Sequence, residues 1–316
     1  MIAADQQIQI AVLDDYQGVA LSSADWSGVE WRANVTVFRD HLTDTEALVE
    51  RLRPFDAICV MRERTPLSKE ILNRLPRLKL IASTASSNSS IDSVAAKERG
   101  ITIAGTSAIS TNTAELTWAL ILAGARHVVS ENEALRGGRW QERVGVDLAG
   151  KTLGIIGLGK IGSAVAKVGL AFGMRVIAWS EHLSSETAEA AGGIAVSKVE
   201  LFRRADIVTI HLVLSDRTRA LVGKSEFNLM KHSALLINSS RGPIVVEEDL
   251  LEALRSGQIA GAALDVYDIE PLPQEHPYRS ARNLLATPHI GYVTEEMYKV
   301  FYGDTVRNLE NWLAGL

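Results

Sequence analysis

The chain has 316 residues, of which 47% are hydrophobic and 22% are charged, and its formal net charge at pH 7 is −5. This length and composition predict one or two packed domains and exclude a disordered chain. The acidic balance and the absence of any run of lysine and arginine argue against a nucleic-acid-binding surface, which needs a basic face.

Short strand-like runs alternate with helix-like segments along nearly the whole chain, which is typical of an α/β fold with parallel sheets covered by helices. In the first block we predict strands at 8–13, 35–38, 57–61, 78–83 and 101–104, and helices at 44–52, 68–75 and 91–99. The first of these helices opens with Thr43-Asp44-Thr45-Glu46, whose spacing predicts a capping box between Thr43 and Glu46.

The second block begins with a long apolar helix at about 113–129 and a glycine-rich stretch around 136–140. Six further strands are predicted at 152–156, 175–179, 207–210, 234–238, 261–265 and 284–286, and a final helix at about 294–313. A series of strands after one glycine-rich turn predicts a complete nucleotide-binding sheet.

Cellular location is also constrained by the sequence. The single cysteine, Cys59, lies in an apolar run, so we expect a core thiol and a reducing compartment. The first residues lack the basic and apolar regions of a secretion signal, which predicts a cytoplasmic protein. The longest apolar stretch, 116–125, is far shorter than the roughly 20 residues of a membrane span, so no membrane association is expected.

Three glycines mark the turn after the first strand of the second block. The segment Gly157-Leu158-Gly159-Lys160-Ile161-Gly162 joins an apolar strand to a helix with one apolar face. Gly157 is expected to make the tight turn, Gly159 to let a pyrophosphate approach the backbone, and Gly162 to let helix and strand pack closely. The helix start supplies unpaired N–H groups and a partial positive charge. This pattern predicts a dinucleotide site.

The end of the next strand bears on which dinucleotide is bound. A carboxylate usually accepts hydrogen bonds from the adenosine ribose about 20 residues after the glycines, but Ser180 stands at that position and Glu181 follows it. The missing carboxylate removes repulsion against a 2′-phosphate, while Glu181 restores a negative charge. The sequence favours NAD and leaves NADP open.

Three charged side chains follow later strands of the same block: Arg241, Glu270 and His289. Ligands of open α/β sheets bind at the carboxyl ends of the strands, so these side chains are expected to converge on one bound molecule. The guanidinium of Arg241 suits an adjacent carboxylate and carbonyl, and His289 is suited to proton transfer at cellular pH. Glu270 is expected to orient the imidazole and stabilise its charged form.

These residues lie in the motifs Asn238-Ser239-Ser240-Arg241-Gly242-Pro243, 264–272 and 286–292. The set of motifs and their order along the chain resemble those of the D-2-hydroxyacid dehydrogenase family. The resemblance covers nearly the whole chain and implies NAD(P)-dependent hydride transfer between nicotinamide and a small D-2-hydroxy or 2-keto acid, with no metal ion. It gives Arg241, Glu270 and His289 the catalytic roles described above.

The resemblance also implies further contacts and a domain layout. Besides the three glycines, the residues expected to line the cofactor are Lys160, Ile161, Ser180, Leu212, Ser239, Ser240, Asp265 and Gly291, with Asp265 at the nicotinamide carboxamide. A flavodoxin-like substrate domain of residues 1–104 and 288–316 is expected to contain an inserted Rossmann domain of residues 105–287. The family dimerises through the cofactor domain, so a homodimer is expected.

Two features remain open. The loop 82–88 has Ala85 where the family commonly has glycine. The backbone N–H groups survive this change, and the resemblance implies that those of Ala85 and Ser86 bind the substrate carboxylate. Arg62, with Arg64 as the alternative, is expected to meet the distal group of the substrate. The alternative function is an NAD(H)-sensing scaffold or co-repressor of the same fold.

Overall fold

A computed structural model describes residues 7–316. The chain divides into two compact units, one holding the chain up to Ile109 together with Val293–Leu316 and the other holding Ser110–Tyr292. The strands are β1 Ile8–Val12, β2 Ala33–Val37, β3 Ala57–Val60, β4 Leu80–Ser83, β5 Thr102–Gly105, β6 Thr152–Ile156, β7 Arg175–Trp179, β8 Ile194–Ala195, β9 Ile207–Ile210, β10 Leu235–Asn238, β11 Gly261–Leu264 and β12 Leu284–Ala286. The α-helices are α1 Ser27–Glu30, α2 Thr45–Leu52, α3 Lys69–Asn73, α4 Ser93–Glu98, α5 Thr111–Arg126, α6 Val128–Arg136, α7 Lys160–Ala171, α8 Ser185–Ala190, α9 Lys198–Arg204, α10 Lys224–Phe227, α11 Glu247–Ser256 and α12 Glu295–Ala314.

The first unit is built on a five-stranded sheet in the order β2-β1-β3-β4-β5. All four strand pairings are parallel, and this order is that of flavodoxin-like folds. Strands β3 and β4 are buried along their whole length, as expected for continuous apolar runs covered on both faces. The terminal helix α12 belongs to this unit, where Asn308 donates a hydrogen bond to the Gly105 carbonyl over 2.9 Å.

The second unit contains a seven-stranded parallel sheet in the order β12-β11-β10-β9-β6-β7-β8. The strand order reverses between β6 and β9, which is the switch point of a Rossmann fold. The predicted α/β class, with one Rossmann and one flavodoxin-like part, is confirmed. The short strand β8 was not predicted, because a two-residue edge strand has too little periodicity to be recognised.

Two local predictions were wrong. The helix predicted at 113–129 is two helices, because His127 takes a left-handed conformation with φ +53° and ends α5 before α6 begins. The capping box predicted for Thr43 and Glu46 does not form. Asp44 caps α2 instead by accepting a hydrogen bond from Ala47 N, while the Glu46 carboxylate binds Arg74, the residue directly after α3. No helix within residues 7–316 is long and apolar enough to cross a membrane.

Asp206 connects the amino ends of two central strands of the second sheet. Its carboxylate accepts hydrogen bonds from Thr152 N at the start of β6 and from Lys231 Nζ, both over 2.8 Å. Partial burial opposes ionisation, but these hydrogen bonds outweigh it and hold the pKa of Asp206 below its ordinary value. The ionised carboxylate therefore stabilises the folded state above the unfolded pKa of about 3.9, and this stability is lost as pH falls through the lower folded pKa.

We accordingly expect Asp206→Asn to lower the free energy of unfolding by about 1–3 kcal/mol at neutral pH, with the difference shrinking below about pH 4. Urea unfolding of both proteins across this pH range measures the effect. The exposed Glu189 of α8 provides the control Glu189→Gln, which should change stability little at either pH. A difference between Asp206→Asn and the wild type that does not depend on pH would contradict the electrostatic explanation.

Candidate active site

The three glycines after β6 meet three different steric requirements. Gly157 has φ +95°, and a Cβ there would lie 2.8 Å from the His211 carbonyl oxygen. A Cβ on Gly162 would lie 2.1 Å from the Gly157 carbonyl oxygen, so a side chain would force α7 away from the turn. A Cβ on Gly159 would meet nothing within 4 Å. Only Gly159 faces open space, where a ligand phosphate has room to approach the backbone.

Helix α7 begins at this open side of the turn. Gly159 is its N-cap and no side chain caps it, so the first N–H groups of the helix are available to an anion. Lys160 is exposed and Ile161 is half-buried beside them. These residues fit a dinucleotide pyrophosphate.

Alanine substitutions separate the roles of the glycines. Gly159→Ala should leave the unfolding midpoint nearly unchanged but weaken NADH binding, because its methyl group occupies the space left for the pyrophosphate. Gly162→Ala should destabilise the fold, because its methyl group overlaps the Gly157 carbonyl. Thermal unfolding and NADH titration by fluorescence measure the two effects. Normal NADH affinity in a folded Gly159→Ala protein would contradict the placement of the cofactor here.

The carboxyl ends of the neighbouring strands surround the glycine turn. Gly157 N donates a hydrogen bond to the Trp179 carbonyl over 2.9 Å, and His211 N donates one to the Ile156 carbonyl over 2.8 Å. Ser180 and Leu212 each come directly after a residue, Trp179 or His211, whose backbone is hydrogen-bonded to the glycine turn or to the end of β6. Burial lowers the pKa of His211 to about 3, so its ring is neutral at cellular pH and unsuited to deliver a proton.

Ser239 and Ser240 extend this surface at the end of β10. The Ser239 hydroxyl lies 2.8 Å from the Thr117 hydroxyl of α5, and the Ser240 hydroxyl donates a hydrogen bond to the Leu212 carbonyl. The structure thus places Ser180, Leu212, Ser239 and Ser240 at the ends of three strands, β7, β9 and β10, on the glycine-turn side of the sheet.

The turn that presents Arg241 is braced by a residue absent from the predicted site. The Asn238 side chain donates a hydrogen bond to the Arg241 carbonyl and accepts one from Ser240 N, over 2.9 and 3.0 Å. A Cβ on Gly242 would lie 2.1 Å from the Tyr267 carbonyl carbon. The backbone after Arg241 therefore passes directly against the backbone that leads to Glu270.

Glu270 and His289 form a hydrogen-bonded pair. The distance from His289 Nδ1 to Glu270 Oε2 is 2.5 Å, and the other carboxylate oxygen of Glu270 accepts from Tyr267 N over 2.8 Å. A carboxylate only accepts hydrogen bonds, so Nδ1 is the donor. His289 has φ +52°, a conformation that costs energy in a residue other than glycine and tends to occur at functional sites.

Asp265 holds the segment that contains His289. Its side chain is fully buried and accepts hydrogen bonds from Thr287 Oγ1, Ile290 N and Gly291 N, over 2.6, 2.8 and 2.8 Å. Burial raises the pKa of Asp265. These contacts secure the backbone on both sides of His289, and the expected contact of Asp265 with a nicotinamide carboxamide stays a prediction.

The first unit contains the remaining predicted residues. Arg62 has φ +51°, and its N–H donates to Thr84 Oγ1 over 2.7 Å, while its guanidinium lies 3.5 Å from Glu63 Oε1. The Arg64 guanidinium instead donates to the Asp14 carbonyl over 2.8 Å and lies over the Tyr16 ring. Arg64 is thus engaged by the segment that follows β1, which leaves Arg62 as the better candidate for a ligand.

Ala85 keeps the conformation that glycine would favour. Its φ is +67°, and its N–H donates to Thr106 Oγ1 over 2.7 Å, so this N–H is already engaged. A Cβ on Gly105 would lie 2.9 Å from the Ala85 carbonyl oxygen, which shows how closely the two segments approach. Ser86 is exposed directly after this turn. Within residues 7–316, no three His, Cys, Asp or Glu side chains cluster as metal ligands.

Comparisons with known proteins identify the family of this chain. The model of the D-isomer specific 2-hydroxyacid dehydrogenase, NAD binding domain, matches residues 118–291, a range that contains the glycine turn, Arg241, Glu270 and His289. The glyoxylate reductase of Aeropyrum pernix is 42% identical over 262 residues, which are 79% of this chain and 78% of that protein. The hydroxypyruvate reductase of Blautia hydrogenotrophica is 33% identical over 318 aligned positions, which cover 98% of each chain. The crystal structure of phosphoglycerate oxidoreductase from Vibrio cholerae superposes with a TM-score of 0.93 at 37% identity, covering 98% of this chain and 100% of that chain.

Proposed function

This chain belongs to the D-2-hydroxyacid dehydrogenase family and is an NAD-dependent oxidoreductase of 2-hydroxy acids, and we propose that Arg241, Glu270 and His289 are its catalytic residues. Family membership supports an enzyme over the alternative of an NAD(H)-sensing scaffold. The observation that carries the assignment is the contact between His289 Nδ1 and Glu270 Oε2, because it leaves Nε2 as the ring atom that exchanges a proton with the substrate.

Arg241 binds the substrate and stabilises charge on it. Its planar guanidinium presents parallel N–H groups that match a carboxylate and an adjacent carbonyl oxygen. As the carbonyl oxygen gains negative charge during reduction, these donors stabilise it more strongly than in the ground state. Asn238 and Gly242 set the turn that presents this side chain.

His289 provides the proton and Glu270 keeps the ring oriented. In keto-acid reduction, Nε2 of the imidazolium gives its proton to the substrate oxygen, and in hydroxy-acid oxidation the neutral Nε2 takes that proton back. Glu270 stabilises the charged ring through Nδ1. Asp265 keeps the His289 segment in its left-handed turn through Ile290 N and Gly291 N.

NAD, when bound, supplies or accepts the hydride. We propose that the residues that hold it are Gly157, Gly159, Lys160, Ile161, Gly162, Ser180, Leu212, Ser239, Ser240, Asp265 and Gly291. The open face of Gly159 and the uncapped start of α7 support a pyrophosphate site at this turn. The second unit then acts as the cofactor domain and the first as the substrate domain.

The substrate that we propose is a small 2-keto acid such as glyoxylate or hydroxypyruvate, with NADH as the hydride donor. The names of the similar enzymes from Aeropyrum pernix and Blautia hydrogenotrophica support this choice. We assign the substrate carboxylate to Arg241. For the first unit we propose that Arg62 recognises the distal group of a substrate. The Ala85 N–H is already donated to Thr106 Oγ1 and is not assigned to the substrate. A hydroxyl is the distal group of hydroxypyruvate, and a guanidinium donates readily to it.

The test is a panel of glyoxylate, hydroxypyruvate, pyruvate, phosphohydroxypyruvate and bulkier 2-keto acids with NADH. We expect glyoxylate and hydroxypyruvate to have the highest kcat/KM, and Arg62→Gln to reduce kcat/KM for hydroxypyruvate more than for glyoxylate, which lacks a distal group. Turnover of a bulky keto acid alone would refute the substrate proposal, and no turnover of any acid would favour the scaffold.

We also propose that the enzyme is cytoplasmic. Cys59 is a buried free thiol, and burial raises the pKa of this thiol to about 12, so its reactive thiolate is scarce. A protein with one buried free thiol and no disulfide suits a reducing compartment. Fractionation of the producing cells, followed by immunoblotting with periplasmic and cytoplasmic markers, tests the location.

We propose that the chain forms a homodimer through the segment 128–146. Helix α5 itself packs within its unit, against α7 and β10, and most of its large apolar side chains are buried or half-buried there. Apolar side chains are exposed instead in the segment that follows, at Val128, Val129, Leu135, Trp140, Val144 and Val146. A concentration of exposed apolar side chains in one segment is typical of a protein interface.

We expect the wild type to sediment as a dimer at micromolar concentration and Val144→Glu to shift it toward monomer, since Val144 is 91% exposed and a buried charge opposes association. Trp31→Glu, at a similarly exposed residue of the first unit, is the control and should leave the dimer intact. Analytical ultracentrifugation distinguishes these outcomes. A monomeric wild type would refute the proposal.

A further inference from the structure

An ion pair lies at the point where the adenosine end of a dinucleotide is expected. Arg217 Nη1 lies 3.2 Å from Glu181 Oε2, and the two side chains are 71% and 57% exposed. Glu181 comes directly after Ser180, the residue at the position where a carboxylate commonly binds the adenosine ribose. Arg217 is distant in sequence, and the fold brings it to this position.

Both residues leave the sheet beside the glycine turn. Glu181 lies two residues after Trp179, whose carbonyl accepts a hydrogen bond from Gly157 N. Arg217 lies in the loop that follows β9 and His211, whose N–H binds the Ile156 carbonyl at the end of β6. The ends of β6, β7 and β9 are adjacent in the sheet, so the ion pair lies on the glycine-turn side.

The loop that presents Arg217 is closed by its own hydrogen bonds. Ser215 N donates to Thr218 Oγ1 over 2.8 Å, and Thr218 Oγ1 donates to the Val213 carbonyl over 2.7 Å. Arg219 N donates to the Ser215 carbonyl over 2.9 Å. The backbone around Arg217 is therefore held in a defined turn, and the guanidinium starts from a fixed point close to Ser180 and Glu181.

A guanidinium in an exposed ion pair readily leaves its carboxylate for an anion that binds it more strongly. Such pairs contribute little to stability, because water and salt screen both charges. A phosphomonoester has close to two negative charges above neutral pH and binds a guanidinium through two parallel hydrogen bonds. A 2′-phosphate on the adenosine ribose therefore competes with Glu181 for Arg217, while the Glu181 carboxylate repels it.

We propose that Arg217 and Glu181 together determine the relative affinity of the enzyme for cofactors with and without a 2′-phosphate. Arg217 attracts a 2′-phosphate and Glu181 repels it. Ser180 adds a small hydroxyl at the same strand end and no charge. The enzyme therefore prefers NADH and retains measurable affinity for NADPH. This inference rests on the dinucleotide site proposed above, and it assigns to Arg217 a role that its distance in sequence from the glycine turn conceals.

The test compares two fragments that differ only in the 2′-phosphate, adenosine 2′,5′-bisphosphate and 5′-AMP, by isothermal titration calorimetry. We expect Glu181→Gln to raise the affinity for the bisphosphate relative to 5′-AMP by roughly tenfold, and Arg217→Gln to lower it by roughly tenfold, as expected for one charge-assisted hydrogen-bonded contact. Arg219→Gln, on the same loop, is the matched control and should leave the ratio unchanged. The bisphosphate affinity of Glu181→Gln should also fall with added salt.

Three outcomes would overturn the inference. The first is a ratio that stays the same in Arg217→Gln, and the second is an equal loss in Arg219→Gln, which would indicate only a general positive potential. The third is Arg217-dependent binding of inorganic phosphate as tight as that of the bisphosphate, which would indicate an anion site unrelated to the nucleotide. Turnover of glyoxylate with NADH by the wild type is measured in parallel, so a failure of the proposed reaction is recognised separately.

Discussion

Replacing His289 with alanine is expected to lower the rate of keto-acid reduction by about 10²–10⁴, the contribution of a positioned general acid, while NADH binding stays nearly intact. Nδ1 of His289 is bonded to Glu270 at 2.5 Å, which leaves Nε2 to exchange the proton. Steady-state kinetics with glyoxylate and fluorescence titration with NADH measure the two quantities. A fully active His289→Ala protein would overturn the assignment of the proton donor.

The matched control is a second histidine–glutamate pair in the same unit. His276 Nε2 lies 2.9 Å from Glu247 Oε1, and the ring also accepts a hydrogen bond from Tyr278 N. His276→Ala therefore removes a similar histidine–carboxylate contact without changing the His289 segment, and we expect it to retain most of the activity. A loss in His276→Ala as large as that in His289→Ala would point to a general effect on folding.

The Glu270→Gln variant tests the coupling between the two side chains. Reduction requires the imidazolium, and loss of the neighbouring negative charge makes this form less stable. The alkaline fall of reduction and the alkaline rise of hydroxy-acid oxidation should therefore both move to lower pH than in the wild type. Rate profiles recorded in both directions measure the shift, and unchanged profiles would exclude the proposed role of Glu270.

Replacing Arg241 with lysine or glutamine is the second change with a large expected effect. Both variants should lose at least about 10² in kcat/KM for the keto acid, the effect of removing one preorganised donor to a developing oxyanion. Arg241→Lys should be little more active than Arg241→Gln, because an ammonium is a point charge and does not reproduce the planar pair of donors. The KM for the keto acid should rise as well, since the same side chain binds its carboxylate.

Binding of NADH separates this effect from misfolding. Arg241 is presented by a turn braced by Asn238, and its side chain is not required for the glycine turn around Gly157 and Gly159. NADH affinity and the unfolding midpoint should therefore stay close to the wild-type values in Arg241→Gln. Arg255→Lys, at an exposed arginine of α11, is the control. Normal kcat/KM in Arg241→Lys would show that the fork geometry is not needed.

The sequence by itself determined the class of the fold and the location of the glycine turn. Strands β6, β7, β9 and β12 have the predicted bounds, because each is a short apolar run that punctuating residues set apart. The positive φ of Gly157 and the close approach of Gly162 to the Gly157 carbonyl are local to the turn, and the structure shows both. Signals of this kind depend only on neighbours in the chain.

Only the tertiary structure decided which distant segments touch. The close approach of Gly242 to Tyr267, the bonds from Asp265 to the His289 segment and the pairing of Glu181 with Arg217 each join segments that have no periodic relation in the sequence. The left-handed His127 that ends α5 is likewise invisible to the apolar pattern, which continues through it. Apolar periodicity reports which face of an element is buried, whereas these contacts depend on how strand ends and loops are positioned once the sheet has formed.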